Sequence, residues 1–160
     1  MSPHISFNGI DMVELRKHLA GGVDPSGNPI ESFVDPDGSW SLRCCLGDSR
    51  PGDEIAVVSW SPFPWDGPYR EAGPIVVHTS GCPGGAPCGR LPDAIDRRAM
   101  QLRPYGHDRR IAYHRVTYVD ADESVTDATT ALLAHDDVDF VHGRNVVGGC
   151  YAFTAMRVAG

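Results

Sequence analysis

The chain has 160 residues, 41% of them apolar and 22% charged, and a formal net charge of −7. That length suits one domain burying roughly 70% of its unfolded surface, and the composition excludes a disordered chain. The negative charge disfavours nucleic acid and anionic lipid as partners, and no apolar run reaches the roughly 20 residues of a membrane helix.

Ile5–Phe7 reads as a short strand. From Ile10 to Leu19 a stripe of Ile10, Met12, Val13, Leu15 and Leu19 predicts a helix, stopped by Gly21-Gly22. Residues 24–39 are dense in proline and glycine and predict an irregular loop. Trp40–Leu46 alternates, which predicts a strand with Trp40, Leu42, Cys44 and Leu46 on one face and Ser41, Arg43 and Cys45 on the other. A turn at Arg50-Pro-Gly-Asp53 leads into a second strand, Glu54–Trp60, so the pair reads as a hairpin or meander. Ser61–Gly73 is an excursion rich in proline and aromatics, and Ile75–His78 follows as a short buried strand. Pro92 suits the first position of a short helix through Met100. Gln101–Tyr105 and Ile111–Val119 predict strands around a turn at Gly106-His-Asp108. Asp122 is placed to cap a helix from about Glu123 to Ala134, and Val138–His142 and Cys150–Val158 close the chain as strands around Gly143–Gly149. The sum is a single α+β domain over residues 1–160, a mostly antiparallel sheet with two longer helices and one short helix.

Five cysteines form an odd set, and Met1-Ser-Pro-His-Ile lacks the segments of a secretory signal. Reduced thiols and a cytoplasmic location are therefore expected. The loop from His78 through Cys82 to Cys88 offers three zinc-type ligands, whereas a structural site takes four. Cys45, His142 or Cys150 would have to complete it through the fold. A polar loop is the simpler reading, so no cofactor is expected, and zinc at His78, Cys82 and Cys88 stands as the minor alternative. There is no G-x-S-x-G, H-E-x-x-H, G-x-G-x-x-G or G-x-x-x-x-G-K motif, which disfavours the common hydrolases and nucleotide enzymes. Lys17, the one lysine, lies in a helical context without a glycine loop, which disfavours Schiff-base and Walker-type chemistry.

Toward the C-terminus, Val138, Phe140 and His142 share a strand face by period two, beside a glycine-flexible turn holding Arg144 and Asn145. His142 there suits a ring locking the turn through a backbone carbonyl, or a general acid or base tuned by partial burial. Arg43 offers a planar fork for an anionic substrate, or one half of a structural ion pair. Trp60, Phe63, Trp65 and Tyr69 suit the wall of an apolar pocket, or a loop pinned down by its own aromatics.

Four segments carry a resemblance: Leu42-Arg-Cys-Cys-Leu-Gly-Asp-Ser-Arg-Pro-Gly52, Gly67-Pro-Tyr-Arg-Glu-Ala-Gly-Pro-Ile75, Gln101-Leu-Arg-Pro-Tyr105 and Val141-His-Gly-Arg-Asn-Val-Val-Gly-Gly-Cys-Tyr151. In that order they resemble a bacterial domain-of-unknown-function family, number 1203, from about residue 40 to the end. The resemblance matches Arg43, Leu46, Asp48 and Gly52, then Tyr69, Gly73 and Pro74, then Arg103 and Tyr105, then His142, Asn145 and Cys150 to the family pattern. Some members look to share His78 and Cys82, whereas Cys88 lies outside the pattern, and Leu42 stands where the family often has a cysteine. The resemblance implies no activity, but it implies that the matched polar residues converge on one pocket. The resulting expectation is a cofactor-independent enzyme of isomerase, lyase or cyclase type acting on a small molecule, within bacterial secondary metabolism. His142 would be its acid–base group with Tyr69 or Tyr105 as donors, and Arg43, Arg103, Asn145, Trp60 and Trp65 would bind substrate. The alternative expectation is a non-catalytic module that binds a small ligand or a protein partner.

Overall fold

In the computed structural model, which describes residues 4–85 and 89–159, the elements run in the order β1 (Ile5–Asn8), α1 (Met12–Gly21), β2 (Phe33–Val34), β3 (Glu54–Trp60), β4 (Gly73–His78), α2 (Asp93–Asp96), β5 (Met100–Tyr105), β6 (Thr117–Val119), α3 (Val125–Leu133), β7 (Phe140–Asn145) and β8 (Tyr151–Arg157). The fold class is α+β with antiparallel sheets, as the alternating and helical patterns imply. By their internal contacts the residues divide into two units, Met1–Asn8 with Ala86–Gly160, and Gly9–Gly85.

In the first unit a five-stranded sheet has the order β1-β8-β7-β5-β6. Helix α3 packs on β5, β7 and β8, and Val125, Leu132 and Leu133 are buried, as are Leu102, Val141 and Phe153. Phe7 meets Phe153 edge to face at 5.6 Å. Gly143 is obligatory here, because a Cβ on it would lie 2.1 Å from the Phe153 ring. Ser124, not Asp122, caps α3, its hydroxyl accepting the Asp127 N–H, while buried Asp96 accepts the Thr126 N–H at 2.6 Å. Asp122 instead takes a left-handed turn (φ 72°) and donates its N–H to the Arg97 carbonyl.

In the second unit β2, β3 and β4 form a three-stranded antiparallel sheet. Asp11 caps α1, accepting the N–H groups of Val13 and Glu14, and Gly22 ends the helix at φ 72°. The strand expected at Trp40–Leu46 is not formed. Only single bridges occur there, Ser41 with Asp48 and Leu42 with Val76. The Leu42 N–H donates to the Gly47 carbonyl at 2.8 Å, and Leu46 adopts φ 59°, so the chain closes a tight turn instead. Strand β3 consequently pairs with β2 and β4, not with Trp40–Leu46.

Three further boundaries differ from expectation. The helix after Pro92 ends at Asp96 because Met100 already pairs in β5 opposite Val119 and Asn145. Ile111–Val119 is broken by a 3-10 turn at Tyr113–Arg115, leaving three residues to pair as β6. Strand β7 begins at Phe140, so Val138 lies outside it, and it continues past the expected end at His142 to Asn145. Among the described residues no helix is long and apolar enough to cross a membrane.

Candidate metal centre

The tight turn has a chemical consequence. In a strand, successive side chains point to opposite faces, which would separate Cys44 from Cys45. In the turn both sulfurs reach the same place, the end of β4 and the loop after it. One ligand atom from each of Cys44, Cys45, His78 and Cys82 lies within 4.8 Å of every other. Cys44 Sγ is 3.3 Å from Cys82 Sγ and 3.6 Å from His78 Nδ1, and Cys45 Sγ is 4.0 Å from the same nitrogen. A zinc–sulfur bond of about 2.3 Å gives tetrahedral edges of about 3.8 Å, so the four atoms already stand near the corners of such a cage.

Backbone contacts hold the pieces in register. The Arg43 N–H donates to the Val76 carbonyl and the Ile10 N–H to the Arg43 carbonyl, both at 3.0 Å. Gly9 lies so close that a Cβ would sit 2.2 Å from the Arg43 oxygen. The Gly85 N–H donates to the Cys44 carbonyl at 3.2 Å, folding the loop that carries Cys82 back over the turn.

Three amides point at the sulfurs. The His78 N–H donates to Cys44 Sγ at 3.3 Å and the Gly84 N–H to Cys82 Sγ at 3.4 Å, and the Gly47 N–H donates to Cys45. Such donors favour the thiolate form that a metal ligand requires. On the other side of the imidazole, His78 Nε2 lies 3.0 Å from an Asp53 oxygen that also accepts the Arg50 N–H at 2.8 Å. With Nε2–H donating to this carboxylate, the Nδ1 lone pair faces the sulfurs, the carboxylate–histidine–metal arrangement of zinc sites. Asp53 is held below the usual carboxylate range by the Arg50 N–H first and by His78 second.

The thiols share their protons unequally. A hydrogen bond from Cys44 draws the Cys45 ionisation down to about 5, while that same bond, and then burial, push Cys44 up. Burial also raises Cys82. The proton is therefore held least tightly at Cys45, and a divalent ion would displace those held at Cys44 and Cys82. Three sulfurs and one imidazole nitrogen suit Zn²⁺ and other soft ions, not Mg²⁺ or Ca²⁺. Four protein ligands leave no open coordination position, the pattern of structural sites.

Of the three ligands expected from the loop, His78 and Cys82 join this cluster, and Cys88 lies outside the described residues. Cys45 completes it; Cys150 and His142 belong to the other unit. Sequence reasoning missed Cys44 and Asp53. One signal was present: Cys45-Leu-Gly47 and Cys82-Pro-Gly84 repeat the same Cys-x-Gly spacing, and in both the glycine N–H turns back onto the sulfur.

The expected catalytic set is divided between the units. Arg103, Tyr105, His142 and Asn145 lie in the first, and Arg43, Trp60, Trp65 and Tyr69 in the second. Arg103 faces His142 across β5 and β7, and Tyr105 faces Phe140. The rings of Tyr105, Phe140 and Tyr151 surround His142 with centroids 5.1 to 5.2 Å away. Burial first, then the charges of Arg144 and Arg103, push His142 down to about 3, so it is neutral at physiological pH. Asn145 ends β7 opposite Met100. Arg43 is buried and donates to the Ser41 carbonyl of its own turn. Trp60 packs edge-on against His18 at 5.8 Å and Trp65 against Phe63 at 6.1 Å, while Tyr69 is half-buried.

The family described as "Protein of unknown function (DUF1203)" matches residues 39–157, and the chain belongs to it. No curated protein and no solved structure matches the chain.

Proposed function

We propose that this DUF1203 protein binds one Zn²⁺ ion through Cys44, Cys45, His78 and Cys82, and that the ion braces the Gly9–Gly85 unit. The observation that carries the reading is the convergence of three sulfurs and one imidazole nitrogen, from three separate stretches of chain, within 4.8 Å. The amide donors to sulfur and the Asp53 carboxylate behind His78 support it independently, because neither is required to pack an apolar core. Binding would tie the turn, the end of β4 and the following loop into one piece, and its free energy would enter the stability of that unit directly. The test is elemental analysis of protein purified under reducing conditions and reconstituted with zinc. One equivalent per chain is expected, together with the visible absorption of a tetrahedral thiolate complex when Co²⁺ is substituted. Less than a third of an equivalent after reconstitution would end the proposal.

A second reading concerns the five-stranded sheet. Arg103 opposite His142, with Arg144 two residues further along the same strand, supports a binding site for a small anion such as a carboxylate. In that reading neutral His142 is a hydrogen-bonding group, and an acid–base enzyme would need another residue to carry the proton near pH 7. Calorimetric titration with simple mono- and dicarboxylates tests it, and absence of binding at millimolar concentration refutes it.

A further inference from the structure

Within the cluster Cys44 Sγ and Cys82 Sγ, from stretches far apart in sequence, are only 3.3 Å apart. We infer that peroxide oxidation joins Cys44 to Cys82 as a disulfide and releases the bound metal, making the centre a reversible redox switch. This rests on the zinc reading above. Cys82 is half-buried, whereas Cys44 is buried. Of these two, the more accessible Cys82 sulfur meets the oxidant first. It attacks one peroxide oxygen, the O–O bond breaks, and a sulfenic acid forms as the second oxygen leaves as water. The Cys44 sulfur then attacks the Cys82 sulfur, the S–O bond breaks, and the hydroxyl leaves as a second water. Two sulfurs lose one electron each and hydrogen peroxide accepts both. The two protons come from the thiols, or from solvent when the sulfurs start as metal thiolates.

Two other pairings exist. Cys44 and Cys45 are adjacent in sequence, and a bond between neighbours is strained; Cys45 also touches Cys82, and that pairing is the competing outcome the peptide map reads. Closing Cys44 to Cys82 requires the sulfurs to approach from 3.3 Å to about 2.05 Å, along a line already held by the Gly85 N–H to Cys44 carbonyl bond. One bond removes two of the four ligands. Cys45 and His78 alone do not make a tetrahedral site, so oxidation and metal loss are a single event.

The experiment uses the full chain in two stages. Reduced, zinc-reconstituted protein is first assayed for metal; absence of zinc at this stage refutes the metal reading itself and with it the switch. Zinc-loaded protein is then treated with hydrogen peroxide in the presence of a chromogenic zinc indicator, and free thiols are alkylated before peptide mapping. The expected result is release of one zinc per chain with a Cys44–Cys82 disulfide, an alkylated Cys45, and recovery of binding on reduction with added zinc. Zinc retained after oxidation, or zinc lost with a different pairing or with only sulfinic acid, overturns the inference and leaves the metal reading standing. The double variant Cys88→Ser/Cys150→Ser keeps all four ligands and must behave like the parent; a switch abolished in it also overturns the inference.

Discussion

Asp53 provides the sharpest test of how the centre is built, because it touches the ligand set only through His78. Its Oδ2 accepts from both His78 Nε2 at 3.0 Å and the Arg50 N–H at 2.8 Å. Asp53→Asn keeps an oxygen able to serve both donors and removes only the negative charge, so His78 stays oriented but becomes a weaker base. Asp53→Ala removes both and frees the ring to turn. Loss of such an outer partner lowers metal affinity by about 10–100-fold. Asp53→Asn therefore falls at the lower end, about tenfold, and Asp53→Ala at the upper end, about a hundredfold. Competition against a chromophoric chelator of known affinity, at fixed pH, reads both values. The reasoning is refuted if Asp53→Ala remains folded and binds zinc within twofold of the parent, or if Asp53→Asn is the weaker of the two.

Cys82→Ser removes one of four ligands, so zinc content after reconstitution and desalting should fall below half an equivalent by elemental analysis. Gly9→Ala places a Cβ 2.2 Å from the Arg43 oxygen and forces the cysteine turn to move; overpacking of this kind costs about 1–3 kcal/mol, measurable by urea denaturation together with weakened zinc binding. His142 gives a pH signature. Its folded-state value of about 3 lies below the ordinary 6.5, so its contribution is fully present above pH 6.5 and is lost as the pH falls toward 3. Between pH 6 and 4 the parent should lose stability more steeply than His142→Phe, by up to about 1.4 kcal/mol per pH unit, and parallel slopes by denaturant titration would contradict this. Zinc affinity should also weaken as the pH falls, because Cys44 and Cys82 must give up protons to bind; a pH-independent affinity between 8 and 6 would contradict the thiolate ligand set.

Strand β5 was legible because it alternates, Met100 and Leu102 buried against half-buried Gln101 and Arg103, whereas β7 is buried on both faces and carries no such pattern. The cysteine turn was not, and the reason is local. Trp40, Leu42, Cys44 and Leu46 mimic a strand's alternation, and four of the residues from Leu42 to Leu46 are indeed buried. What distinguishes the two is the Leu42 to Gly47 hydrogen bond and the left-handed Leu46, and neither has a composition cue, since leucine rarely adopts that conformation. His78 and Cys82 were visible because they lie close in sequence on a glycine–proline loop. Their partners sit more than thirty positions upstream, and contacts remote in sequence, Arg43 with Val76 and Gly85 with Cys44, bring them near. The residues of the expected pocket rest on type and on the family pattern, without a spacing that demands contact; Arg103, Tyr105, His142 and Asn145 belong to one unit and Arg43, Trp60, Trp65 and Tyr69 to the other.

That Cys44 and Cys45 are consecutive means that half of the proposed ligand set travels on a single peptide unit. Inserting one residue between them would swing one sulfur away while leaving the other in place, so drift in the length of this turn acts as an all-or-nothing change. The stretch joining His78 to Cys82 is tied down separately, the Thr79 N–H donating to the Glu54 carbonyl and the Ser80 hydroxyl to the Glu54 carboxylate, so relatives that keep the proposed centre should conserve the length of both pieces.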